Sequence, residues 1–274
     1  MSALSTLAPP QFSDLTTSLS SLFCRHHCRL SSILSSPTLF TLTLHHLHSL
    51  SLHQKSLLVA RYLSSTLSHL TCFFHAKTTP SLHTATAMIK LRDLDTVLLL
   101  LILCELRQHE PKALETSLSN WRVVLCNYFS DTMLKLSGLG VSSSEVLITY
   151  NDVVTKCWRF VSAMGCGSGG GGVEKDGREV AASAAVVVAL PSVEVNRGGN
   201  ECVICKEEMR EGRDVCQLPC DHLFHWKCIL PWLRKRNSCP CCRHRLPTDD
   251  VFGEIERLWE VLVKAGGSNL PVML

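Results

Sequence analysis

Residues 220–228 read Cys-Asp-His-Leu-Phe-His-Trp-Lys-Cys (CDHLFHWKC), two cysteines and two histidines with Phe224 and Trp226 set among them. Ligands this dense suit either a redox or catalytic cluster or a metal site. The flanking sequence decides. Upstream stands Cys202-Val-Ile-Cys205, and downstream Cys239-Pro-Cys-Cys242, so the full pattern is C-x2-C-x14-C-x-H-x2-H-x2-C-x10-C-x2-C. Ligands arrive in pairs, and two intervening residues form a tight turn that lets both side chains face one ion. Eight ligands complete two tetrahedral zinc sites with no open position, which is the structural pattern and not the catalytic one.

The rest of the segment fits a metal scaffold. A module of this size is too small to stand on its own core, and structural zinc contributes about 10–16 kcal/mol of apparent binding free energy. Phe224 and Trp226 are placed to form the small core beneath the metal. Two cysteines are spare: Cys241, whose spacing to Cys239 is poorer than that of Cys242, and Cys216. The chain carries 15 cysteines, eight of them between Cys202 and Cys242. Its start shows no secretory leader, so a reducing compartment is expected, where clustered Cys and His read as metal before disulfide.

This arrangement resembles the RING-H2 finger of ubiquitin ligases over residues 201–247. The resemblance implies a cross-brace. One zinc would be held by Cys202, Cys205, His225 and Cys228, the other by Cys220, His222, Cys239 and Cys242. It also implies an enzyme, an E3 ubiquitin transferase without a covalent nucleophile. Such a finger recruits a ubiquitin-conjugating enzyme charged with ubiquitin through an apolar groove, here Ile204, Trp232 and Pro240, with Pro231-Trp232 opening the short helix after Cys228. Arg243 would position the ubiquitin. A zinc-binding adaptor without transferase activity is the alternative, and it would have no need of these four residues. Beyond the finger, Ser35–Leu44, Met88–Asp95 and the C-terminal segment resemble an amyloplast-associated plant ligase of this family acting in gravity response. That implies placement at the plastid surface with the finger exposed to the cytosol; a cytoplasmic protein is the alternative.

Residues 1–164 are expected to form a mainly helical region for targeting and substrate recruitment. Within residues 1–90 there are 29 Ser and Thr and nine of the 13 histidines, and Asp14 is the only acidic residue. Such acid-poor, Ser-rich segments resemble organelle transit peptides. The spacing of Leu15, Leu19, Leu22 and Phe23 equally suits a folded helix whose polar face is built from Ser, Thr and His. Val97–Cys104 is apolar throughout but far below the roughly 18 residues needed to span a bilayer, so it predicts a buried helix beginning near Leu91. Pro111 is placed in the first turn of the next helix, with Leu114, Leu118, Trp121 and Leu125 on one stripe. Ser143 and Ser144 precede Val146, Leu147, Tyr150 and Val154. Cys24 and Cys28, one helical turn apart, could bind metal only with further ligands.

Gly165–Gly172 opens a flexible linker expected over residues 165–199, with one apolar patch, Ala184–Leu190, that packs on the next module or serves as a docking strand. After the finger, residues 248–264 predict an amphipathic helix capped by Thr248-Asp249-Asp250, with Val251, Ile255, Leu258, Trp259, Leu262 and Val263 on its apolar face. It packs on the finger or pairs with a second copy. The formal net charge of +3 and the mild basicity of residues 200–247 exclude a dedicated nucleic-acid binder. The substrate is not legible.

Overall fold

The computed structural model describes residues 8–74, 89–136, 143–164, 180–195, 201–209 and 214–265. The glycine run Gly165–Gly172 and the pair Gly198-Gly199 lie outside them. Six long helices form the N-terminal body: α1 (Pro9–Ser35), α2 (Pro37–Ser49), α3 (Leu52–Thr71), α4 (Leu91–His109), α5 (Leu118–Leu136) and α6 (Ser143–Ala163). Their boundaries are written locally. Pro37 has no N–H to continue α1, and Ser36 caps α2 by accepting from Leu39 N. Ser51 and Gln54 form a reciprocal capping box at the start of α3, with bonds of 2.8 and 3.2 Å.

In this Ser- and Thr-rich chain, hydroxyls bond back within their own helices. Thr41, Thr66 and Thr96 donate to the carbonyls of Pro37, Tyr62 and Arg92 four residues back, each at 2.8 Å. That removes the hydroxyl as a competitor for the helical backbone. The apolar run in α4 is a core helix, with Val97, Leu98, Leu99, Ile102 and Leu106 buried. Among the described residues no helix is long and apolar enough to cross a membrane. Pro111 does not join α5. It opens a separate 3-10 turn, Pro111–Leu114, and α5 begins at Leu118. Arg29 of α1 clamps Asp95 of α4 with two bonds of 3.1 and 2.6 Å, a bidentate, charge-assisted pair. Tyr150 of α6 donates to Thr66 O of α3 at 3.1 Å.

Residues 180–265 carry α7 (Ala184–Ala189), β1 (Ser192–Val193), β2 (Val215–Gln217), β3 (Leu223–His225), α8 (Trp226–Leu233) and α9 (Val251–Ala265). The sheet is antiparallel in the order β1-β2-β3. Its register sets Ser192 against Cys216 and Cys216 against Phe224. Phe224 is fully buried at the centre of a core that includes Val215, Leu218, Ile229, Leu233 and Leu246.

Two further sequence expectations change. The linker assigned to 165–199 is in part folded structure. Val186, Leu190 and Val195 are buried in the finger's core, β1 extends its sheet, and Ala182 N and Ser183 N donate to Leu233 O and Pro247 O, both at 2.9 Å. The apolar patch therefore packs on the finger. The C-terminal helix packs elsewhere: Ile255, Leu258 and Leu262 of α9 are buried with Leu15, Leu58, Leu63 and Val146 of the helical body. Trp158 of α6 stacks on Trp259, with ring centroids 6.4 Å apart. The face that could have met the finger or a second copy is used within the chain.

Candidate metal centre and its apolar face

Two turns of the same construction present the outer ligands. In the first, Lys206 N donates to Cys202 O (2.7 Å) and Cys202 N to Glu207 O (2.9 Å). In the second, Arg243 N donates to Cys239 O (3.0 Å) and Cys239 N to His244 O (2.9 Å). Each turn closes through a residue in the left-handed region, Lys206 at φ 63° and Arg243 at φ 58°. A side chain there is disfavoured by roughly 1–2 kcal/mol, so the backbone bonds must hold the turn. This equivalence makes Cys242 the counterpart of Cys205. Cys241 N instead donates to Cys239 Sγ at 3.4 Å, and its thiol joins neither group of ligands. A third tight turn, with Asp221 at φ 63° and Asp221 N donating to Leu218 O at 2.9 Å, carries Cys220 and His222.

The fold brings the eight side chains into two groups of four. Cys202, Cys205, His225 and Cys228 have their ligand atoms all within 4.8 Å of one another, and so do Cys220, His222, Cys239 and Cys242. The first group joins the first turn to the end of β3 and to α8. The second joins the β2–β3 turn to the second cysteine turn. Cys205 Sγ lies 3.4 Å from His225 Nδ1, and Cys220 Sγ lies 3.4 Å from His222 Nδ1. A tetrahedral zinc with bonds of about 2.3 Å to sulfur and 2.0–2.1 Å to nitrogen sets that edge at about 3.6 Å, so the donor set fits zinc.

Thiol acidity points the same way. Burial acts to raise Cys202, but backbone N–H groups around it outweigh burial and hold it down to about 6. Burial and then the neighbouring thiols push Cys228 up to about 12, and burial with the Cys242 and Cys239 thiols does the same to Cys220. One thiolate repels the next in each group. A dication relieves that repulsion for the whole set and makes four deprotonated ligands compatible. These two clusters accommodate two zinc ions.

The remaining cysteines stand apart. Cys216 is buried opposite Phe224 and belongs to neither group. Cys24 and Cys28 are exposed on α1, and among the described residues no third ligand joins them. Trp226 differs from Phe224: it is half-buried at the sheet edge, and its indole N–H donates to Ser192 Oγ at 2.8 Å, fastening β1 to the finger.

The four residues singled out for partner binding are surface or partly surface groups. Ile204 is 38% exposed on the first cysteine turn, beside Val203 at 46%. Trp232 is half-buried. Its indole N–H donates to Ser238 O at 2.7 Å, which sets it at the start of the second cysteine turn, and the Arg236 guanidinium lies 5.1 Å from its ring centre. Arg243 is exposed. The helix they were expected to begin starts earlier: α8 runs from Trp226, carries Cys228, and holds Pro231 in its interior. Proline deprives only Lys227 of an acceptor bond in so short a helix, so it is tolerated. Leu230 on α8, 37% exposed, was not singled out from the sequence; its place next to Pro231 was the available signal.

Residues 200–243 match the family model described as Ring finger domain. The chain is 51% identical to the Arabidopsis thaliana protein named E3 ubiquitin-protein ligase SGR9, amyloplastic, over 97% of this chain and 95% of that one. It is 56% identical to the Xenopus laevis E3 ubiquitin-protein ligase RNF181 over 25% of this chain and 46% of that protein. With the Arabidopsis thaliana E3 ubiquitin-protein ligase RING1-like it shares 49% identity over 25% of this chain and 23% of that protein. No solved structure matches it.

Proposed function

The chain belongs to the RING-finger E3 ubiquitin-protein ligases, and on that premise we propose that it binds a charged ubiquitin-conjugating enzyme and promotes direct transfer of ubiquitin to substrate lysines. The observation that carries this is the exposure of Ile204, Val203 and Leu230 on a module whose own core is already filled by Phe224 and its neighbours. Apolar side chains exposed on a turn and a helix that both carry metal ligands serve nothing inside the finger, and a preformed apolar surface suits a partner's loops. Cys202, Cys205, His225, Cys228, Cys220, His222, Cys239 and Cys242 hold the two zinc ions. Zinc supplies fold and not chemistry: all eight ligands are taken up and no position is left for substrate.

Catalysis is then positioning. The finger holds the thioester-linked ubiquitin in a restricted orientation near an attacking lysine amine, which converts a loose encounter into an ordered one. Ile204, Trp232 and Pro240 bind the conjugating enzyme. Arg243 presents its guanidinium from a turn whose backbone geometry is fixed, and it hydrogen-bonds the ubiquitin. Replacing Ile204 or Trp232 with Ala removes central apolar contact, costing about 2 kcal/mol or roughly 30-fold in affinity. Arg243→Ala leaves the conjugating enzyme bound and slows transfer. All three keep two zincs. Full self-ubiquitination by all three variants would refute the roles given to these residues, and absence of self-ubiquitination by the parent protein with a panel of conjugating enzymes would favour the inert adaptor.

We infer further that the helical body recruits the substrate and associates with the amyloplast surface in gravity response; the name of the relative matched over nearly its whole length carries the word amyloplastic. A ligase works where charged conjugating enzyme reaches it, so the finger faces the cytosol. Self-association through α9 is not part of this reading, since its apolar face is covered within the chain. A fluorescent fusion of the full chain should mark plastid rims in starch-storing cells, and uniform cytosolic signal would sink the placement.

A further inference from the structure

The finger is fastened to the helical body at its C-terminal end by a joint with little freedom. α9 follows the finger in sequence, yet it lies in the core of α1, α3 and α6. In space the helical body is therefore α1–α6 together with α9, and in sequence the finger is inserted between its last two helices. Arg245, which pairs through its backbone with Ser238 of the second cysteine turn, reaches α9 with Nη1 at 3.0 Å from Glu260 and 3.9 Å from Glu256. Thr248 is buried. Its hydroxyl donates to Ala181 O at 2.8 Å, and its N–H donates to Glu254 Oε2 at 3.1 Å. Glu254 is held in turn by Arg257 through bonds of 2.9 and 2.6 Å. Asp250 caps α9 by accepting from Gly253 N at 2.9 Å. Between Leu246, which donates to Asn237 O, and this cap, the chain that leads out of the finger is tied to the chain that leads in and to the first turn of α9. A hinge needs a few residues free to change φ and ψ; between the tied residues Leu246, Thr248 and Asp250 stand only Pro247, whose ring fixes φ, and Asp249.

We propose that α9 is a strut that fixes the orientation of the finger relative to α1–α6, with Arg245, Thr248 and Glu260 as positioning residues that select which lysines the ubiquitin thioester reaches. This rests on the ligase reading above. Inserting Gly-Ser-Gly-Ser between Asp249 and Asp250 leaves the cap on α9 and the Thr248–Ala181 bond in place but unhooks the two. Arg245→Glu sets a like charge against Glu256 and Glu260, and Glu260→Arg in the same chain restores the attraction. Two readouts are taken on the full-length protein: discharge of ubiquitin from the conjugating enzyme to free lysine, which does not depend on body orientation, and the distribution of self-ubiquitination over Lys55, Lys90, Lys112 and Lys156. The inserted chain should discharge within about twofold of the parent while site occupancies change severalfold. Arg245→Glu should shift occupancies in the same sense, and the charge exchange should return them. An unchanged lysine pattern in the inserted chain overturns the strut. So does a proportional loss of discharge and self-modification, which would mean the ties serve the finger's own fold. Absence of discharge by the parent protein would overturn the ligase reading itself and the strut with it.

Discussion

Leu258→Ala tests the most consequential contact in the fold. Leu258 is 2% exposed and sits on α9, C-terminal to the finger, in the core built by α1, α3 and α6. Truncation to Ala removes three carbons, about 2.4 kcal/mol at 0.8 kcal/mol per buried methylene. The cavity left between packed helices adds to this and brings the expected loss to about 3–4 kcal/mol. At about 2–4 °C per kcal/mol for a body of this size, the helical melting transition falls by roughly 6–15 °C. The assay is far-UV circular dichroism on the full-length protein, with zinc content measured in parallel. Zinc stays at two per chain, because Leu258 does not contribute to the finger's core. If the helical transition does not move, or if zinc is lost while the helices are unaffected, α9 belongs to the finger and the placement is wrong. The same contact carries a warning for truncation: removing residues 1–164 while keeping α9 exposes Ile255, Leu258 and Leu262 to water.

Two further outcomes follow from the site and the body. Cys220→Ser or His225→Ala should drop zinc from two to one or none and unfold the finger, since structural zinc contributes about 10–16 kcal/mol, whereas Cys216→Ala keeps both; elemental analysis showing two zincs in either ligand variant refutes the assignment. Acid should weaken the helical body. Burial, and then Arg25, hold His26 down from 6.5 to about 4, and burial lowers His27 and His69. The folded value lies below the unfolded one, so the unfolded chain takes up the proton first. Stability is full above about pH 6.5 and is lost as pH falls towards 4, by roughly 2–3 kcal/mol for His26. Melting temperatures measured across that range should fall, and His26→Gln should flatten the slope; an identical slope in the variant removes His26 from the explanation.

What the sequence determined by itself was what short-range chemistry controls. Chelation needs donors a few residues apart, so the pairs Cys202/Cys205, Cys220/His222, His225/Cys228 and Cys239/Cys242 are visible as spacing. Helix ends at Ser36-Pro37 and Ser51, which the sequence reading did not single out, are likewise local, set by a missing N–H or a cap. Spacing does not say which pairs share an ion. That follows from where the β2–β3 turn carries Cys220 and His222 with respect to the two cysteine turns, and only the resemblance to a known finger anticipated it. The fold agrees with the spacing in preferring Cys242 to Cys241, through a left-handed residue placed identically in both turns.

Tertiary structure alone decided the partners of the amphipathic pieces. The stripe Ile255, Leu258 and Leu262 states that α9 must be covered, but an apolar face carries no address, and the finger, a second copy and the helical body would each have removed it from water. The same holds for residues 180–195. Glycines and a proline around them read as linker, because a two-residue strand has no stability of its own. β1 exists only because β2 supplies its hydrogen bonds, Trp226 reaches Ser192, and Val186, Leu190 and Val195 find a core built by residues that come later in the chain. Local propensity has no term for those contacts, since hydrophobic burial is non-directional and its partners are fixed by the fold as a whole.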